Sequence, residues 1–250
     1  MYVTAIVLAA GKGLRFSRPN SFTVRGGIPT HKSKMVESGI SGVPKPLVEI
    51  NSKPIIIYCL KIISKHPSIK DIVVVVNAQI RNRIIKAIKR YRISKIIRVV
   101  AGGRRRQDSV YQGLGAIDER TDLVLIHDGV RPFITKGIIT SVIKKAKDTG
   151  AAIVGVPVKA TVKEVSSKFV VKRTLERDNL WEIQTPQVFG KDLILRAYEK
   201  SGNADVTDDA MLVEKLGAKV SAVLGSYDNI KITTPEDLRL AEAILQCHTE

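Results

Sequence analysis

Lys12 and Arg15 stand among small residues, Ala9, Ala10, Gly11 and Gly13, directly after the apolar, β-branched run Val3–Leu8. Small residues and glycines let a backbone turn tightly, aim successive N–H groups at an anion and admit a ligand closely. With two cations at the same place, this is a cradle for phosphate at the carboxyl end of a first strand, where open α/β sheets bind ligands. Two better-known cradles do not fit. Lys12 is followed by Gly13 instead of Ser or Thr, and Phe16 stands where a dinucleotide fingerprint has its third glycine. On this stretch alone, a plain glycine turn between strand and helix is the alternative.

Three more polar clusters follow apolar runs or lead into them. Lys45 lies within Pro44-Lys45-Pro46. Gly102 and Gly103 are followed by Arg106 and Ser109. The third is His127-Asp128-Gly129-Val130-Arg131. Each is bland by itself, but parallel topology would gather all of them along one edge of a sheet. Arg15 and Lys45 could then neutralise charge building on a phosphoryl group and its leaving pyrophosphate. Asp128 could hold Mg²⁺ or orient a hydroxyl. No serine, cysteine or histidine stands in an obvious nucleophilic arrangement, so catalysis would be positioning plus electrostatics, with one substrate attacking another in line.

The elements that would position these residues alternate strand and helix. Strands are expected at Val3–Leu8, Leu47–Ile50, Asp71–Asn77, Ile96–Val100, Leu123–Ile126, Ala151–Val158 and Lys219–Val223. Helices are expected from Pro54 to His66, from Gln79 to Arg90, and from Asp108 or Ser109 as cap to Ile117. Others carry Ile138, Ile139, Val142, Ile143 and Ala146 inward or run over Lys191–Lys200, Asp208–Leu216 and Pro235–Leu245. From Lys159 to about Gln184 short β-like pieces alternate with polar turns, a hairpin arm and not another βα unit. Ser17–Val43 lacks apolar periodicity and is expected to be a long flexible insertion, a flap over a bound triphosphate or a solvated loop. The whole predicts one α/β domain over 1–250, with a doubly wound, mostly parallel Rossmann-like sheet and a protruding β-arm.

Composition agrees. The 250 residues can bury a sizeable core, aliphatic in character, since aromatic residues make up only 5%. Lys and Arg total 41 against 24 Asp and Glu, a formal charge of +17, which favours polyanionic partners, whether nucleotides, phosphorylated metabolites or nucleic acid, without choosing among them. Cys59 and Cys247 are far apart and the four histidines are scattered, which argues for reduced thiols and against a structural zinc site. No membrane-spanning run or signal-type amino terminus is present, so a cytoplasmic protein is expected.

The order LAAGKGLR, PKP, GGRRRQDSV, HDGVRP, VPVKATVKEV, ERDNLWEIQTPQVF, VTDDA and IKITTPEDL resembles the 2-C-methyl-D-erythritol 4-phosphate cytidylyltransferase family over nearly the whole chain except Ser17–Val43. The resemblance implies a nucleotidyltransferase of non-mevalonate isoprenoid biosynthesis that uses Mg²⁺ and forms a homodimer through interlocked arms. CTP would lie over Ala9–Arg15, contacted by Ala9, Ala10, Gly11, Gly13, Gly103, Arg106, Ser109 and Asp128. Arg15 and Lys45 would stabilise the pentacoordinate α-phosphate. The acceptor would bind between Asp128, Arg131, Thr185, Thr207 and Lys231, and Thr161 and Arg177 from a second subunit's arm would complete its site. Arg177 and Lys231 count with Arg15 and Lys45 as catalytic.

This sequence departs from the family in the long insertion and in the heavier run Arg104–Arg106, of which Arg106 matches the motif. The nearest rival is ribitol-5-phosphate cytidylyltransferase, the same reaction on a related polyol phosphate. A nucleic-acid-binding protein is disfavoured, because the basic residues mostly alternate along helix faces without interleaved aromatics.

Overall fold

The computed structural model of the chain describes residues 1–11, 43–202 and 205–247; of the insertion expected over Ser17–Val43, only Val43 lies within them. The core is divided by β1 (Val3–Ala9), which is buried throughout. Val3, Ala5, Val7 and Ala9 face one apolar cluster while Ile6 and Leu8 face another, the period of two that a strand imposes. The first cluster is covered by α1 (Ile55–Lys65), α2 (Arg81–Arg90) and α4 (Lys136–Thr149). The second is covered by α3 (Arg106–Leu114), α5 (Lys191–Lys200) and α6 (Ala210–Lys215). A smaller cluster joins α7 (Pro235–Cys247) to the short hairpin of β2 (Glu49–Ile50) and β3 (Lys53–Pro54).

The main sheet has seven strands in the order β11 (Ser221–Leu224), β7 (Ala151–Pro157), β10 (Trp181–Gly190), β6 (Leu123–Asp128), β1, β4 (Ile69–Val76) and β5 (Ile96–Ala101). All pairings are parallel except those of β10, which runs antiparallel to both β6 and β7. The chain leaves β1 toward β4 and β5, then returns to its other side with β6. That reversal opens a crevice at the carboxyl ends of β1 and β6, the place where such sheets bind ligands.

Local chemistry sets several boundaries. Thr135 Oγ1 accepts the Ile138 N–H at 3.2 Å and starts α4. Gly150, with φ of +83°, ends it in the left-handed conformation that glycine takes without penalty. Asp108 is the third residue of α3 and not its cap. Its carboxylate accepts the Arg105 backbone N–H at 3.0 Å, so the helix begins at Arg106, three residues before the start that an Asp108 cap would give.

Two other readings change. Lys45–Leu47 is a 3-10 turn, leaving only Glu49–Ile50 as strand in place of Leu47–Ile50, because Pro46 has a fixed φ and no N–H to give a ladder. The sheet also contains β10, where no strand was expected and where residues 181–184 were assigned to the arm. Its polar middle, Gln184-Thr185-Pro186-Gln187, reads as a break. The pairing tolerates it through a register shift that moves the partner of β10 from Val154 to Ile153 across Pro186, which has no N–H to donate. The excursion before β10 is an antiparallel pair, β8 (Lys163–Val165) and β9 (Val171–Thr174), whose tip exposes Phe169, Val170 and Val171.

Two phenylalanines separate packing from exposure. Phe189 on β10 is fully buried, whereas Phe169 is 71% exposed. Phe189→Ala is expected to lower unfolding free energy by about 3–5 kcal/mol, and Phe169→Ala to change it by less than about 0.5 kcal/mol, in urea titrations of the two variants run dilute enough to keep the chain monomeric. Equal losses would contradict a core that extends across β10.

Candidate active site

The crevice is a cleft of about 490 Å³ at the carboxyl ends of β1, β5 and β6. Leu8, Ala9, Ala10 and Gly11 form one wall, and the turn after β5, with Gly103, Arg106 and Ser109, forms another. Asp128 and Val130 lie beyond β6; Lys45, Thr207, Lys231 and Thr233 complete the rim. Of the sequence-predicted residues, Ala9, Ala10, Gly11, Lys45, Gly103, Arg106, Ser109, Asp128, Thr207 and Lys231 are therefore brought together. Gly13 and Arg15 lie outside the described residues.

The glycine-rich turn is held against the first wall by close contact. A Cβ on Gly102 would lie 2.4 Å from the Ala10 Cβ, and one on Gly103 would lie 2.3 Å from the Asp108 Cβ. The Gly103 N–H donates to Ser109 Oγ at 3.1 Å, and that hydroxyl donates to the Arg105 carbonyl at 3.1 Å. Ser109 thus shapes the turn as well as lining the cleft. Across from it, Lys45 Nζ donates to the Thr233 carbonyl at 2.9 Å, tying the 3-10 turn to the segment before α7.

Charge is concentrated at Asp128. One carboxylate oxygen meets Lys231 Nζ at 2.6 Å and the other meets Arg106 Nε at 3.3 Å. Burial favours the neutral acid, but Arg106, Lys231 and Arg131 outweigh it and hold the carboxyl far below the usual range. Arg106 reaches in the other direction to Asp209, with Nη1 at 2.9 Å from Oδ2. Burial works against its charge, and Asp209 with Asp128 more than restores it. Asp209 is fully buried and accepts the Tyr198 hydroxyl at 2.5 Å. Burial pushes the Asp209 carboxyl up against the pull of both partners.

Behind Asp128 a neutral relay orders the backbone. Arg131 O can only accept, so His127 Nε2, 3.1 Å away, carries the ring proton. His127 Nδ1 then accepts from the Thr185 hydroxyl at 3.1 Å, and Thr185 Oγ1 accepts the Asp128 N–H at 3.0 Å. Arg131 Nη1 donates to the Asn229 carbonyl at 2.7 Å, and Asn229 Nδ2 donates to the Thr185 carbonyl at 2.9 Å. Arg131 and Thr185 therefore support Asp128 from behind and do not line the cleft. Thr161 and Arg177 are exposed near the hairpin arm and do not line it either; Arg177 Nη1 donates to the Lys159 carbonyl at 2.9 Å. Sequence reasoning missed Asp209, Asn229 and Thr233 as individual residues, although the VTDDA string contained Asp209.

The described residues do not fit a protein-held metal. Among the described residues no group of three or more His, Cys, Asp or Glu is placed to hold an ion. A divalent cation at Asp128 would also meet the positive charges of Lys231 and Arg106, each already on a carboxylate oxygen.

A strand-end phosphate cradle at the switch point of a mostly parallel sheet, facing a cluster of cations, defines a nucleotide-binding α/β domain of the nucleotidyltransferase kind. A sequence model of the family IspD, 2-C-methyl-D-erythritol 4-phosphate cytidylyltransferase, matches residues 37–247, and the chain belongs to that family. The enzyme of that name from Alkaliphilus metalliredigens is 42% identical over 246 residues, covering 97% of this chain and 92% of the relative. The one from Halalkalibacterium halodurans is 45% identical over 207 residues, 82% of this chain and 90% of the relative. A crystal structure of 4-diphosphocytidyl-2C-methyl-D-erythritol synthase from Anaerococcus prevotii superposes with a TM-score of 0.80 at 33% identity, covering 98% of this chain and 96% of that one. The Francisella tularensis cytidylyltransferase structure gives 0.74 at 29% identity, covering 97% and 99%.

The buried relay has a pH signature. Burial pushes the His127 pKa down from 6.5 to about 4, so below pH 6.5 the unfolded chain takes up a proton that the native imidazole refuses. The stability from the neutral ring is complete above that value and is lost as pH falls, by about 3 kcal/mol near pH 4. Urea titrations of wild type and His127→Asn at pH 7 and pH 4.5 should show the stability gap narrowing by about 2 kcal/mol at the lower pH. A gap that stays constant would remove His127 as the titrating group.

Proposed function

We infer that the protein transfers a cytidylyl group from CTP to 2-C-methyl-D-erythritol 4-phosphate, giving 4-diphosphocytidyl-2-C-methyl-D-erythritol and pyrophosphate. The carrying observation is a single cleft that joins a backbone cradle, Ala9 to Gly11 with Gly103, to the Asp128–Lys231 pair. The first part suits a triphosphate and its base; the second suits a phosphorylated polyol. An oxygen of the acceptor phosphate attacks the α-phosphorus of CTP, one P–O bond forms, and the bond to the β-phosphate breaks as pyrophosphate leaves on the opposite side. Protein groups need supply only alignment and positive charge for this.

Lys45 and Arg15 take the charge that develops on the α-phosphate and the leaving group. Lys231, 40% exposed, is the cation free to swing from Asp128 to the acceptor phosphate. Asp128 then turns a carboxylate oxygen toward an acceptor hydroxyl. Thr207 lies on the same rim. Mg²⁺, when bound, would be held by the nucleotide phosphates and would offset their charge.

The acceptor site is completed from a second subunit in a homodimer, where Thr161 and Arg177 reach across. Support comes from the arm, which exposes Phe169, Val170 and Val171, large apolar side chains that a partner surface would cover. A cytoplasmic location is consistent with the described residues, among which no helix is long and apolar enough to cross a membrane.

Pyrophosphate release from CTP with each polyol phosphate in turn tests the acceptor. Turnover with methylerythritol phosphate well above that with ribitol 5-phosphate is expected, and the reverse would reassign the enzyme.

Because Lys45 acts on charge present mainly in the transition state, Lys45→Ala should lower kcat by about 100-fold or more while CTP affinity changes little. A higher KM for CTP at unchanged kcat would give Lys45 a ground-state role instead.

The shared site predicts complementation. Arg177→Ala and Lys231→Ala dimers should each be weak, and mixing them should restore activity in hybrids that keep one intact site. No recovery in a verified heterodimer would place Arg177 outside the partner's site.

A further inference from the structure

Asp209 is a buried carboxyl group for which the transfer reaction has no direct use. It is fully buried at the start of α6 and does not line the cleft, and neither does its partner Tyr198 on α5. It touches the site through one group, the Arg106 guanidinium. That guanidinium is split between two carboxylates: Nη1 lies 2.9 Å from Asp209 Oδ2, and Nε lies 3.3 Å from Asp128 Oδ1.

An arginine facing one carboxylate closes into a forked pair with two bonds of about 2.7–2.9 Å. Here the fork does not close on Asp128. The shorter contact goes to Asp209 Oδ2 as an ion pair without hydrogen-bond geometry, whereas Nε donates a longer hydrogen bond to Asp128; the other Asp209 oxygen is held by Tyr198 at 2.5 Å. Asp128 keeps its shortest contact for Lys231, at 2.6 Å. An alternating chain, Tyr198–Asp209–Arg106–Asp128–Lys231, thus spans the cleft floor from α5 to the segment after β11. Its only well-exposed member is Lys231, at the end the acceptor would reach.

We propose that Asp209 is a positioning residue for the acceptor: by engaging one arm of Arg106 it prevents that arginine from capturing Asp128, and keeps Asp128 available to Lys231 and the incoming polyol phosphate. Without the Asp209 charge, nothing opposes rotation of Arg106 into a forked pair on Asp128. The acceptor would then compete with a closed ion pair, whereas the backbone cradle for CTP would be untouched. The inference rests on the cytidylyl-transfer reading and deepens it.

The test is Asp209→Asn, which keeps the shape and removes the charge. The KM for methylerythritol phosphate should rise about tenfold, within the coupling seen among residues of one charge network. CTP affinity, measured by calorimetry without the acceptor, should change by less than about threefold, since Ala9–Gly11 and Gly103 keep their backbone contacts and Arg106 is only one of several residues on the nucleotide side of the cleft. Asp208→Ala is the structural control. Asp208 accepts from Met211 N at 3.1 Å and from Gln187 Nε2 at 2.8 Å, so its loss loosens the same helix start without reaching Arg106. Asp208→Ala should lower the melting temperature and leave the ratio of the two KM values unchanged.

If Asp209→Asn does not fold, Tyr198→Phe removes one hydrogen bond to the carboxylate, and a rise in acceptor KM of about two- to threefold is expected. An unchanged acceptor KM in whichever variant folds overturns the inference, as does a parallel rise in both constants or the same split in Asp208→Ala. Wild-type protein that releases no pyrophosphate overturns the transfer reading together with it. Wild-type activity beside an unaltered Asp209→Asn enzyme overturns the inference alone.

Discussion

One guanidinium between two carboxylates holds the functional end of this molecule together. Arg106 stands at the start of α3, Asp128 at the end of β6 and Asp209 at the start of α6, so three segments distant in sequence meet through a single cation. Burying any of these charges alone would cost several kcal/mol, and their mutual attraction offsets that only while the geometry is kept. The cleft floor is therefore rigid for an electrostatic reason. Apolar packing on either side of the sheet brings the segments near, but it does not select which oxygen faces which nitrogen.

The sheet supplies the other half of the constraint. Parallel strands place their carboxyl ends together, and the reversal at β1 leaves the space that α-helices would otherwise cover. The antiparallel β10 lies next to β6, which lets Thr185 bind both the Asp128 backbone and the His127 ring. The polar centre of β10, costly in a central strand, is matched by Asn229 and Asp208, which accept or donate to Gln184, Thr185 and Gln187. Here a functional site is visible as a local break in otherwise regular strand chemistry.

The strong positive balance of the chain is put to different uses in different places. Lys45, Arg106 and Lys231 converge on the cleft, where a polyphosphate substrate belongs. Elsewhere lysines and arginines line α2 and its neighbours. There Lys61 and Arg90 approach the Tyr91 ring at 5.3 and 5.6 Å, and Lys53 approaches Tyr58 at 4.5 Å. These two tyrosines cover the stems and heads of neighbouring cations.

The continuous burial of β1, the buried run DIVVVVN and the helical spacing of Ile84 and Ile88 were legible in the sequence, because apolar runs and helix periodicity are local properties. So was the meeting of Gly11, Gly103 and Asp128 at one edge, since each follows a parallel strand of the main sheet; Lys45 arrives there from outside that sheet. The sequence alone also carried the family, through motifs in a fixed order. β10 was not legible, because Pro186 and its polar neighbours contradict a central strand until Val154, Ile153 and Asn229 are placed beside them. Nor was it legible that Arg131 and Thr185 stand behind Asp128 instead of in the cleft, or that Asp209 shares Arg106. Those facts depend on which face a side chain presents and which distant charge it meets, and only the packed tertiary structure decides that.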